Sequence, residues 1–284
     1  MRTSVIFSML LCLIAFVGCD APNVDVQLPP EPDPMPTKLE FKIDVKRVGM
    51  YDVEIAITPP NDTIVYGCGV ASASRAEGLE YGDLLARLAM KDANHQIFSG
   101  EGVYRGEGFL PSTKQIFICY YDPVSCDQYV SETTEAIVLE FNTLPAPEAK
   151  NCITKLQLCG PYSREGILNI DPNIVEVAAS DEGMWYFYRI ETANDDTAMI
   201  YSYPTYQLGL LDDYERLFAL LMQNGWRAEK HYFNHPWDND FIMVYAMVQD
   251  EDGVMSEIVA SEVLKNDMEC RDAQEFVDFY NRQL

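Results

Sequence analysis

Phe241–Val248 (FIMVYAMV) is apolar at every position, and that constrains the fold more than any other stretch of the 284 residues. In a strand, Phe241, Met243, Tyr245 and Met247 share one face, and Ile242, Val244, Ala246 and Val248 share the other. A strand with one wet face alternates with polar residues, so this one must be covered on both sides. The acidic turn Asp250-Glu251-Asp252-Gly253 follows, and then a second apolar run to Leu264, which together make the strongest hairpin pattern in the chain.

A weaker copy lies earlier, in Ile116–Tyr121 and Ile137–Phe141. Before it, Leu39, Phe41, Ile43 and Val45 alternate with charged residues, as do Tyr51, Val53, Ile55 and Ile57 with Asp52 and Glu54. Both segments read as half-buried strands, closed by the turn cluster Thr58–Asp62 and followed by a third strand, Ile64–Val70. Glu80–Met90 then changes period, because Tyr81, Leu84, Leu85 and Leu88 fall on one helical face. Asn142–Lys150 has the composition of a linker.

The second half runs in parallel. Ile153–Leu158 and Ile167–Ala178 read as early strands, with a bend at Asp171-Pro172, and Met184–Ile190 follows an acidic turn. A helix over Asp212–Gln223 sets Tyr214, Leu217, Phe218 and Leu221 at the spacing of Tyr81, Leu84, Leu85 and Leu88, which points to an internal repeat, and Asn224-Gly225 ends it. This helix is the obvious cover for one face of Phe241–Val248. A last helix over 267–284 carries the stripe Ala273, Phe276, Val277, Tyr280 and Leu284. The reading is an all-β chain of two tandem sandwich domains, 38–145 and 151–266, each with a short helical insertion, plus a C-terminal helix over 267–284.

Residues 1–18 have a basic start and a short apolar core, as in a signal peptide, and Ala15–Cys19 resembles a bacterial lipobox. That resemblance implies that Cys19 is acylated and becomes the mature N-terminus; the alternative is an ordinary secretory signal with an incidental cysteine. Residues 19–37 are Pro-rich and read as an extended tether. The implied address is the outer membrane, with its surface face favoured over the periplasmic one, and the implied membrane partner is reached through the lipid. A net charge of −25 argues against nucleic acid, while 48% apolar and 12% aromatic content excludes a disordered acidic chain.

The order strand, strand, ITPPNDTIVYGCGV, helix, TKQIFICYYD and EFNTL resembles the fibronectin type III-like (immunoglobulin-like) domains in lipoproteins of Bacteroidetes. ILNIDPNIVEVA, WYFYRIET and the hairpin from Phe241 resemble the repeat that accompanies them, so the likeness covers roughly residues 38–266. It implies fold and address, and supplies no catalytic residue. In such a sandwich the strands holding Cys68 and Cys119 run antiparallel side by side, making the two a candidate disulfide. Cys119–Cys126 and a pair of free thiols are the alternatives.

No nucleophile elbow, P-loop or dinucleotide fingerprint is present, and no cofactor is implied. His231 and His235 are four apart, but Asn234 and Pro236 on either side of His235 favour a loop over a metal site, and His95 reads as a solvated residue. The acidic pairs lack the ligand spacing of a calcium loop. Tyr201, Tyr203 and Tyr206 before the second helix, and Trp226 and Trp237 after it, form the candidate binding surface; the competing role is sealing helix against sheet. The favoured function is non-catalytic binding, adhesion or scaffolding at the cell envelope, with a glycan or protein ligand. The rivals are an envelope hydrolase with acidic residues near 226–240 and a structural spacer.

Overall fold

The computed structural model describes residues 41–79, 84, 94–120, 136–181, 183–228, 232–237, 239–265 and 267–282, with backbone alone for 228 and 232–237. Cys19, the leader and the tether lie outside these residues, as do Cys126, His231, most of Glu80–Met90 and the side chains of His235 and Trp237.

Alternating apolar residues drive the first sandwich. Val53, Ile55 and Ile57 point inward from β2 (Asp52–Thr58), which pairs antiparallel with β1 (Lys42–Val48) on one side and β5 (Gly102–Glu107) on the other. The facing sheet runs β4 (Gln96–Ser99), β3 (Val65–Ser72), β6 (Lys114–Tyr120), β7 (Ala136–Asn142). Tyr66, Cys68, Val70, Tyr104, Phe117 and Cys119 fill the space between the sheets.

The second sandwich repeats this order strand for strand. One sheet is β8 (Ile153–Ser163), β9 (Met184–Thr192), β12 (Tyr232–Trp237). The other runs β11 (Trp226–Ala228), β10 (Met199–Thr205), β13 (Phe241–Gln249), β14 (Val259–Ala260), with β15 (Leu264–Lys265) also paired to β13. Adding seven to each strand number of the first sandwich reproduces the second. The fold is therefore all-β, two tandem fibronectin type III/Ig-like sandwiches, with helical pieces between the third and fourth strands of each. In the first, those among the described residues are α1 (Ala73–Ala76) and the helical Leu84, which is buried with Ile116, Ile118 and Tyr120.

Ile167–Ala178 is not strand. It forms α2 (Arg164–Ile170) and α3 (Val175–Ala179), because the Ser163 hydroxyl caps the first by accepting from the Gly166 N–H and Pro172 separates the two. The C-terminal helix α5 (Ala273–Asn281) is shorter than 267–284, and the Asp272 side chain caps it by accepting from the Gln274 N–H. Together α2, α3 and α5 cover the outer face of the β8–β9 sheet, where Phe276 and Phe279 meet Tyr162, Trp185 and Phe187.

Both faces of β13 are buried, as its apolar composition demands. Ile242, Val244, Ala246 and Val248 pack between the sheets, and Met243, Tyr245 and Met247 pack under α4 (Tyr214–Asn224) through Leu217, Phe218 and Leu221. The second arm of the hairpin is not a continuous strand. Ser256 and Ser261 each accept from a β13 amide through the side-chain oxygen, from Val248 N–H at 3.0 Å and Val244 N–H at 2.9 Å, so the side chain occupies a ladder position. Gly225 ends α4 in an extended conformation, φ −67°, instead of a left-handed one. Glycine is required there for approach, since a Cβ would lie 2.3 Å from the Leu221 carbonyl oxygen.

The linker is tied down. Thr143 Oγ1 donates to the Leu110 carbonyl at 2.7 Å, and the Leu144 N–H donates to Gly49 at 3.0 Å. The Lys150 N–H donates to Asp250 at 3.0 Å and its ammonium pairs with Asp252. Burial works against the Asp250 carboxylate, but the N–H groups of Lys150, Val254 and Asp252 hold it below the usual carboxylate range.

Candidate functional site

Helix α4 does more than cover its own sandwich: Tyr51, from the turn between β1 and β2, enters the same cluster. The N–H groups of Gly108 and Phe109 fix that turn by donating to the Tyr51 carbonyl, at 2.9 and 3.1 Å. Its ring lies 5.6 Å from Phe218, and its hydroxyl accepts from the Met255 N–H at 2.9 Å. Gly108 has φ +87°, and a Cβ there would stand 2.9 Å from Ala219 Cα, so glycine is needed both for the backbone and for the approach of the helix. Arg75 adds ion pairs to Asp213 and Glu215 at the start of α4.

Where the end of α4 meets β2 and β5 lies a polar cleft of about 460 Å³. From the first sandwich come Arg47, Asp52, Val53, Asn94, Gln96, Arg105, Gly106 and Glu107; from the helix come Gln223 and Asn224. Its wall is built by internal pairing. Arg47 donates to Asp52 at 2.8 Å, Arg105 Nε donates to Glu54 at 3.3 Å, and Gln96 bridges the Arg105 backbone by donating to its carbonyl at 2.5 Å. Asn94 is buried and its Oδ1 accepts from the Glu107 N–H at 3.2 Å. Gln223 Nε2 donates to the Glu107 carbonyl at 2.7 Å and Arg227 donates to the Glu107 carboxylate at 2.9 Å, which joins the sandwiches along one edge of the cleft.

Chemically, the lining combines hydrogen-bond donors with acceptors. Each guanidinium has five donors and each carboxylate two acceptor oxygens, so the internal pairs leave donor and acceptor capacity unspent. The formal charges of the lining balance, Arg47 and Arg105 against Asp52 and Glu107.

Among the described residues, the aromatic side chains singled out from the sequence are not assembled on one exposed surface. Tyr201 is buried under α4, with the Arg227 guanidinium 5.5 Å above its ring, and Tyr203 is half-buried against the same cluster. Trp226, half-exposed, stands opposite Ser202 on the edge strand β11, one position out of phase with Tyr201 and so on the other face of the sheet. Tyr206 is exposed in the loop before α4, near exposed Leu208 and Leu211. The side chain of Trp237 lies outside the described residues.

His95 is not merely solvated: Nε2 lies 2.5 Å from the Tyr120 hydroxyl and the two rings stack. Cys68 and Cys119 stand opposite each other in the β3–β6 ladder as buried free thiols. Among the described residues, no group of three or more His, Cys, Asp or Glu side chains is placed to hold a metal ion. No helix among them is long and apolar enough to cross a membrane.

These features define a class: a tandem-sandwich module with a polar cleft at its junction. No family model and no curated protein matches the chain. Among solved structures it is similar to a two-domain fibronectin type III segment of chicken tenascin, at 9% identity and a TM-score of 0.23, covering 79% of this chain and 98% of that one. The fibronectin(III)-like modules of CbhA from Clostridium thermocellum match at 9% identity and TM-score 0.24, over 78% and 91% of the two chains. The human OSCAR ligand-binding domain matches at 11% identity and TM-score 0.21, over 78% and 96%. Likenesses this distant carry no argument; the architecture rests on the strand pairing itself.

Proposed function

We propose that the chain is a non-catalytic binding module of the cell envelope, held on the outer membrane through an acylated Cys19, and that its ligand is an uncharged glycan taken up by the junction cleft. The observation that carries this reading is the cleft's lining: amides, guanidinium groups and carboxylates whose charges balance, in a volume of about 460 Å³. That size falls within the usual range of ligand pockets, about 300–1,000 Å³. An anionic ligand is disfavoured by a chain carrying a net charge of −25. Sandwich scaffolds commonly present binding sites at the ends of their strands, where rigid elements position variable loops. Here helix α4 replaces a loop, so the ligand contacts both sandwiches at once.

The test is a glycan array probed with the mature protein, followed by titration calorimetry of the bound sugar with wild type, Arg105→Ala and Gln223→Ala. The Arg105 side chain is 70% exposed, so its removal leaves the fold intact. Loss of roughly tenfold or more in affinity, about 1.4 kcal/mol, in each variant is the expected result. Affinities unchanged in both variants, or no array signal at all, contradict the glycan reading.

A further inference from the structure

Cys68 on β3 and Cys119 on β6 are directly opposed in an antiparallel ladder. Opposed residues point to the same face with Cα atoms about 4.5–5.5 Å apart, within the range a disulfide spans. Both side chains are fully buried as free thiols in the core of the first sandwich. The neighbouring inward positions of the two strands, Tyr66, Val70 and Phe117, are all large and hydrophobic, so the sulfur pair is a local exception in an otherwise ordinary core.

We infer that Cys68 and Cys119 form a disulfide site, joined in an oxidising compartment and stapling the two central strands of the four-stranded sheet. The step is thiol–disulfide exchange with a protein or small-molecule disulfide. One cysteine thiolate attacks the oxidant, forming a mixed disulfide and expelling one thiol. The second cysteine then attacks its partner's sulfur, forming the Cys68–Cys119 bond and expelling the second thiol, so the oxidant leaves as two thiols carrying the hydrogens the cysteines lose. Timing follows from burial. In the folded chain Cys68 is held protonated by its apolar surroundings and no oxidant reaches it, so the bond forms before the core closes and is afterwards shielded from reductant.

Supplying the oxidant in vitro tests the bond independently of cellular address. The protein is refolded from denaturant with oxidised and reduced glutathione, or with reductant alone, then unfolded in an alkylating agent and peptide-mapped without reduction. The expected result is a Cys68–Cys119 linked peptide after oxidative refolding, retained when the native protein is incubated with dithiothreitol and lost when denaturant is added. A second expectation is a higher denaturation midpoint for the oxidised form, a shift absent from the Cys68→Ala/Cys119→Ala protein. Alkylation of both cysteines after oxidative refolding overturns the inference. So does a Cys119–Cys126 peptide, or an unchanged redox shift of the midpoint in the double variant.

Discussion

Phe218→Ala removes the side chain through which helix α4 touches both sandwiches. The ring is 3% exposed and belongs to the cluster of Leu217, Leu221, Met243, Tyr245 and Met247, with Tyr51 arriving from the other sandwich at 5.6 Å. Truncating a buried phenylalanine costs about 3–5 kcal/mol, from lost transfer energy and the cavity left behind. The helix is held from both sides, by β13 and by the Tyr51 turn, and cannot collapse into the gap, so the upper half of that range is expected. The tilted ring pair contributes about 0.5–1.5 kcal/mol beyond its area. A double-mutant cycle with Tyr51→Ala should return a coupling of that size. Urea unfolding of the four proteins, followed by tryptophan fluorescence, measures both quantities. A loss below about 1 kcal/mol means a surface residue. Additivity within about 0.3 kcal/mol means that the two rings do not touch, and either outcome refutes the reasoning.

Three further outcomes are expected. Gly108→Ala forces a left-handed residue to carry a side chain against Ala219, and should cost about 1–3 kcal/mol by denaturant titration; a neutral effect would mean that the helix does not approach the β5 end. Burial raises the hydroxyl pKa of Tyr66, Tyr162, Tyr186 and Tyr188, and the Glu176 hydrogen bond together with burial pushes Tyr280 up to about 12. Because the folded values lie above the unfolded value of about 10, their contribution to stability is complete below that pH and lost as pH rises through the folded values, so Tm should fall steadily above about pH 10. A Tm that stays level to about pH 12 contradicts this. Cys19→Ser should abolish acylation and move the protein from the membrane to the soluble fraction, whereas wild-type processing and fractionation would remove the anchor.

Much of this fold is legible in the sequence because burial and period coincide. The two-faced apolar run at 241–248 demands two covers, and the stripe Leu217, Phe218, Leu221 supplies one of them. Ile167–Ala178 misleads because Ile174, Val175 and Val177 have strand chemistry, while the Ser163 cap and Pro172 decide for helix. The broken second arm of the hairpin escapes a reading by hydrophobicity, since Ser256 and Ser261 act as substitutes for backbone acceptors. Strand parity separates Tyr201 from Trp226: adjacent strands place them on opposite faces, so composition that looks like an aromatic surface is half core. The cleft is not legible. Asn94, Gln96, Gln223 and Asn224 each look like solvated polar residues, and only the docking of α4 beside β5 brings them together, through Gly108 and Tyr51, which carry no binding signal of their own.

The junction cleft exists only if helix α4 welds the two sandwiches into one body, and scanning calorimetry of the mature protein tests that weld most directly. One transition is expected, with calorimetric and van't Hoff enthalpies in agreement, splitting or broadening in Phe218→Ala. Two resolved transitions in the wild-type protein, with Phe218→Ala lowering only the one that belongs to the second sandwich, would contradict it.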